Sequence, residues 1–142
     1  DNCARNRRGD CGIMALTFIT LCRLVGIPAQ WQSGLAVSPA SVGNHDWAMF
    51  YIAPKGWMYA DCSFGASMAR NGEEELRRHY FGNLDTGRMV ANRAFEAPFD
   101  PPMYGFRKDP YDNQTGEIEA DGTGLYGTQV EPEKNVLQYE FL

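Results

Sequence analysis

The chain has 142 residues, and its thiol and imidazole chemistry rests on four cysteines and two histidines. Cys11 lies in "RRGDCGIMALTFITLCRLVGIPAQ", between an Asp-Gly flank and a long apolar run. A cysteine in that place has four readings: a buried apolar side chain, a metal ligand, half of a disulfide, or a nucleophile. No C-x-x-C pair is present, which argues against a structural zinc site. A nucleophile needs a lowered thiol pKa, and a helix N-terminus supplies partial positive charge and open N–H groups. It also needs a base, usually His, oriented by a carboxylate or an amide. His45 stands at the start of one strand-like run and Asp61 near the end of the next. His79, in "LRRHYF", has no motif around it and is expected at the surface.

The elements that carry these residues can be read from pattern. Residues 11–25 read as a helix that is apolar on nearly all sides, hence central and buried. Asp10 suits its N-cap, Gly26 the left-handed turn after it, and Pro28 stops its continuation. Residues 29–37 and 46–53 read as strands, with a Ser/Pro/Gly loop through Asn44 between them. "PKG" at 54–56 reads as a tight turn, and residues 57–62 as the returning strand. Antiparallel pairing about that turn places opposite one another residues whose numbers sum to about 109 or 110. His45 and Asp61 fall within a few residues of facing. Asp46 is expected to face solvent, direct orientation of the imidazole by it being the alternative. A second helix over 73–81 and a strand over 88–95 follow. The fold class expected is α+β: a buried N-terminal helix packed on an antiparallel sheet, with an irregular C-terminal extension. The core spans 1–96. Residues 97–142 are Pro/Gly-rich and acidic, and their aromatic side chains argue for a wrap over the core.

Taken together, "GDCG…A..F..LCR..GIPA" and "NHDWAMFYIAPKGWMYADCSFG" resemble the transglutaminase-like superfamily of papain-type cysteine enzymes. The resemblance covers residues 9–65, and "YFGNLD" and "DPYDNQ" look like bacterial members. It implies a cysteine-proteinase fold in which Cys11 is the nucleophile, His45 the general base and acid, and Asp61 the residue that orients the imidazole. By the same resemblance Trp47 and Trp57 are structural aromatics around the His and Asp strands. Gly12, which removes bulk beside the thiol, and Trp47 are candidate substrate-binding residues. The sequence departs from the family's habits at Met49, where Glu is common, and at Gln30, where a basic residue is usual. Family domains also carry helical sequence before the Cys. Here only ten residues precede it, so the chain is expected to be part of a longer, multidomain protein. The Cys11 backbone N–H supplies one oxyanion donor.

Other function classes fit less well. Net charge is −5, and eight acidic residues against one Lys make the segment from Asp109 onward −7, leaving the first 108 residues at +2. Neither part is a phosphate-binding surface, so nucleic acid is not an expected partner. No apolar run reaches the ~20 residues of a membrane span. Cys22 is expected in the core and Cys62 in packing, a Cys3–Cys62 disulfide being the alternative. "DNQTGEIEADG" lacks the spacing of a calcium loop, so no metal is expected. The expected activity is cofactor-free, cysteine-dependent acyl transfer that hydrolyses a peptide-like amide in a peptide or protein substrate. A protein-glutamine crosslinking transferase and a non-catalytic peptide- or glycan-binding module are the alternatives. The bacterial look-alikes suggest an extracytoplasmic (periplasmic or secreted) setting.

Overall fold

A computed structural model describes residues 2–95, 97–105 and 118–140. After a short helix α1 (Asn2–Asn6), Asp10 starts the central helix α2 (Cys11–Leu24). Its carboxylate accepts the Ile13 N–H at 2.8 Å, which satisfies one of the open donors of the first turn. At the other end Gly26 takes φ +80°, the left-handed conformation that ends the helix.

Ala15, Ile19 and Cys22 recur at helical spacing and are the buried face of α2. They pack on Ala29, Trp31, Ala48, Phe50 and Ala60 from the sheet. Burial contributes about 1.5–3 kcal/mol for each side chain the size of Ile19 or Phe50. The expectation of burial on nearly all sides is corrected here. Leu21, Leu24 and Val25 are exposed by 59%, 76% and 73%, because among the described residues the sheet covers one face only.

The sheet is antiparallel, with strands in the order β4-β3-β2-β1-β5. Strand β1 (Ala29–Ser38) pairs along its whole length with β2 (Ser41–Ile52). The expected loop through Asn44 is therefore largely strand. Residues 39–40 alone turn the chain, and the Ser38 hydroxyl accepts the Ser41 N–H at 3.1 Å to close the hairpin. Strand β3 (Gly56–Ala60) returns from the 54–56 turn, pairing Tyr51 with Trp57 and Ala48 with Ala60. Its register is one to two residues tighter than expected.

Strand β3 stops at Ala60, short of the expected strand to Cys62. Asp61 instead caps helix α3 (Cys62–Arg70), which pattern reading missed. Helix α4 (Glu74–His79) follows, with Glu74 bridging Arg77 and Arg78. Strand β4 (Phe81–Gly82) edges β3 and brings Phe81 onto Phe50 at 5.5 Å, while His79 stays exposed.

Strand β5 (Arg88–Asn92) pairs with β1 at the opposite edge, with a shift of register between Ser33 and Gly34. Gly34 is the hinge of that shift. A Cβ there would lie 1.8 Å from the Met89 carbonyl oxygen, so no side chain fits without moving β5. Gly34→Ala is expected to cost about 3 kcal/mol as an overpacked site. A melting temperature about 10 °C lower would register this in calorimetry.

Beyond β5, the hairpin of β6 (Ile118–Ala120) and β7 (Thr123–Leu125) turns at Asp121-Gly122, both at positive φ. Glu119 accepts the Tyr104 N–H at 2.9 Å and also bonds the Gly105 N–H. Lys134 reaches back to Asn44 at the start of β2. The "DPYDNQ" stretch and most of the calcium-loop-like segment lie outside the described residues. All four cysteines are free thiols, and Cys3 and Cys62 are not bridged. Among the described residues no helix is long and apolar enough to cross a membrane, and no cluster of His, Cys, Asp and Glu is arranged to hold a metal.

Candidate active site

Among the described residues, the buried polar side chains gather at one end of the sheet: Gln32 and Ser33 on β1, His45 and Asp46 on β2, and Asp61 after β3. Pairing explains the grouping, since Gln32 stands opposite Trp47, Ser33 opposite Asp46 and Gly34 opposite His45. Because β3 ends two residues before α3 begins, Asp61 is free to turn its side chain toward the start of β2.

Asp61 is 1% exposed, and both of its carboxylate oxygens are used. Oδ1 accepts the Phe64 N–H at 2.9 Å and the Ser63 hydroxyl at 3.1 Å, the N-cap bonds of α3. Oδ2 accepts His45 Nε2 at 2.6 Å and Arg88 Nη2 at 2.9 Å. Burial alone would raise the Asp61 pKa. The hydrogen bond and charge of His45, the Phe64 N–H and the Arg88 charge outweigh it and hold the carboxyl below its ordinary value. Asp61 is thus an anion that accepts the Nε2 proton, which makes Nδ1 the ring nitrogen able to act as base.

The imidazole is held by the Asp61 carboxylate and by two rings. Phe64 lies 4.8 Å away and Trp47 6.1 Å, centroid to centroid. Trp47 is itself fully buried and donates its indole N–H to Gln32 Oε1 at 2.7 Å. That position is a wall beside His45. The expected substrate contact at Trp47 is corrected accordingly, since no surface of the indole is open. Trp57 is 44% exposed and packs edge-on against Tyr51, away from the core.

Cys11, at the first turn of α2, meets the residue next to His45. Its thiol donates to Asp46 Oδ2 at 3.5 Å, and the Asp46 peptide N–H points back at the sulfur. The thiol thus meets Asp46 and not the imidazole: neighbours along a strand turn to opposite faces, His45 is held by Asp61, and Cys11 and its expected base are not hydrogen-bonded to each other in this structure. Asp46 is 5% exposed, which corrects the expected solvent-facing position. Gly12 makes this approach possible: a Cβ there would lie 2.9 Å from Asp46 Oδ2. Its small size thus serves the contact between α2 and β2 as much as access to the thiol.

The electrostatics of Cys11 run against the expectation of an activated thiol. Burial, followed by the Asp46 charge, pushes its pKa up to about 11. The N–H groups of Asp46 and Gly12 pull the other way and are outweighed. The resting state is a neutral thiol, and its proton must leave as it attacks. Asp46→Asn removes the like charge, so the thiol pKa falls. With a fall of about one pH unit, the tenfold gain in thiolate is partly offset by lower nucleophilicity, for a net gain of about threefold. Iodoacetamide trapping of Cys11 at neutral pH is expected to show that acceleration, and an unchanged or slower rate would refute the role of Asp46.

Arg88 is the site residue that motif reading did not find. It comes from the far edge strand, 27 positions from Asp61, and nothing local to "GRMVANRAF" marks it. Cys22 lies in the core as expected. Burial, with the Asp61 charge second, raises the Cys62 thiol to about 11 as well. Phe64 and Arg88 also wall a cavity of about 420 Å³, with Ala36, Ser41, Asp85 and Tyr139.

Residues 1–62 match the model of the transglutaminase-like superfamily. That stretch, less than half of the chain, is similar to the family, and the matched segment contains Cys11, His45 and Asp61. No curated protein and no solved structure matches the chain.

Proposed function

We propose that this domain is a cysteine-dependent acyl-transfer enzyme that hydrolyses peptide-like amides through a thioester on Cys11. The observation that carries the reading is the buried His45–Asp61 bond of 2.6 Å, with the Cys11 thiol held against Asp46, the next residue along β2. As the sulfur attacks the amide carbonyl, His45 Nδ1 takes the thiol proton and Asp61 stabilises the imidazolium. The Cys11 backbone N–H faces the developing oxyanion. The imidazolium then protonates the leaving amine, and the thioester forms. Water, deprotonated by His45, releases the acid and returns the thiol. An amine in place of water gives transfer and crosslinking by the same steps. The cavity beside Phe64 and Arg88 is lined by neither Cys11 nor His45, so it adjoins the His45–Asp61 pair without containing the thiol.

A second reading, a non-catalytic peptide- or glycan-binding module, is favoured by the thiol being held neutral at about 11. Mass spectrometry of blocked peptide p-nitroanilides incubated with the full chain, with and without glycine methyl ester, separates the readings. A new acid marks hydrolysis and a new amide marks transfer, and each must vanish in Cys11→Ala. Bound but uncleaved peptides would favour the module.

A further inference from the structure

Arg88 is buried, its side chain only 4% exposed, yet it makes no use of one of its own donors. Its Nη2 meets Asp61 Oδ2 at 2.9 Å and Asp85 Oδ2 at 3.2 Å. Its Nε has no hydrogen-bond partner among the described residues. The guanidinium lies 4.2 Å from the Phe64 ring centre, 5.8 Å from Trp47 and 5.9 Å from Tyr80. A buried donor left unsatisfied is costly, so the position of this cation follows from the carboxylates and the rings around it. The oxygen it holds is the one that His45 holds. A buried Asp beside an imidazole favours the imidazolium, and a base locked in that form cannot accept a thiol proton.

We propose that Arg88 is a positioning residue for the His45–Asp61 pair: it fixes the Asp61 carboxylate toward the imidazole and offsets enough of its charge for His45 to work as a base. The role of His45 as base rests on the acyl-transfer reading, whereas the charge coupling among the three residues is read without turnover. Asp85 completes the device. It anchors Arg88, accepts the Tyr80 hydroxyl at 3.0 Å and closes its own turn on the Gly87 N–H at 3.0 Å. Among the described residues, the titratable and charged groups at this end of the sheet include Cys11 from α2, Asp46 beside His45, Asp61 and Cys62 at the head of α3, Tyr80 after α4, Asp85 before β5 and Arg88 at its start. Of these, Arg88 is the one permanent cation, and it touches the oxygen that faces the imidazole.

The test is an NMR titration of the His45 ring in the full chain, with kcat/KM followed over the same pH range. In Arg88→Met the Asp61 charge goes unopposed, and the His45 midpoint is expected to rise by about one pH unit, carrying the acid limb of kcat/KM with it. Asp85→Asn removes an anion and keeps the turn acceptor, so it is expected to move the midpoint the other way, by less. Arg88→Lys keeps the charge and loses the planar fork. Its midpoint should stay near the native one while kcat falls, because Asp61 is less well aimed. Midpoints that do not move, or that move together in one direction, overturn the proposal. If Arg88→Met does not fold, Asp85→Asn and Arg88→Lys still decide it. Shifts as expected in a protein that turns over no acyl donor would sink the acyl-transfer reading and leave the coupling standing.

Discussion

Asp61→Ala is expected to lose both stability and turnover. The carboxylate is 1% exposed and accepts four hydrogen bonds. Two of them cap α3, and an N-cap of this kind contributes about 1 kcal/mol. The other two come from His45 and Arg88, and removing one partner of a buried ion pair leaves the remaining charge uncompensated, at about 3–5 kcal/mol. The melting temperature should fall by more than 10 °C on that scale, measured by calorimetry at neutral pH. What folds should turn over about 10³–10⁴-fold more slowly, since a misoriented imidazole presents the wrong tautomer.

The same residue sets an acid limit. Its folded pKa lies below the unfolded value near 4, so its contribution is fully present above that pH. The contribution is lost as pH falls through the folded pKa. Native protein should therefore lose stability between pH ~4 and the strongly acidic range. In Asp61→Asn that part of the pH dependence should be missing. An Asp61→Ala protein as stable and as active as the native one would contradict the site described here.

His45→Gln has the second large effect, and its size follows from the thiol. With Cys11 at about 11, the thiolate fraction at pH 7 is about 10⁻⁴ in the absence of a base. Turnover that relies on pre-formed thiolate should thus drop about ten-thousand-fold at pH 7. The residual rate should climb tenfold per pH unit and level off near pH 11, where the thiol ionises unaided. Native protein, in which a base takes the thiol proton during attack, should instead reach its plateau well below pH 11. A His45→Gln profile parallel to the native one would show that the imidazole does not accept the thiol proton.

Local patterns in the sequence identify α2 well. Asp10, the apolar run and Gly26-Ile27-Pro28 carry its start and stop within a few residues of one another. The order of Cys11, His45 and Asp61 was legible for the same reason, with the 54–56 turn fixing roughly how β2 and β3 meet. Asp61 itself was read in the wrong backbone setting. "ADCSFG" continues an aromatic strand by composition, yet an Asp three residues before Phe64 is also an N-cap pattern, and the cap prevails. Ser41 to Asn44 are turn-forming residues by type, and pairing with β1 makes them strand. Asp46 alternates with apolar neighbours and so looks solvent-facing, but α2 covers it. Arg88 was beyond reach of local pattern, because its partner lies 27 positions away across the fold. The raised thiol pKa was equally hidden, being a product of burial and of Asp46, neither visible before the chain is folded.

The most direct measurement of the central claim, that Cys11 attacks with His45 as its base, needs no knowledge of the natural substrate. Native protein and His45→Gln are mixed with p-nitrophenyl acetate at pH 7, the nitrophenolate burst is timed, and the acetylated residue is located by peptide mass mapping. The expected result is one acetyl group on Cys11, formed in native protein on the order of 10³–10⁴-fold faster than in His45→Gln. Acetylation spread over Cys11, Cys22 and Cys62 alike, or the same rate on Cys11 with and without His45, would contradict it.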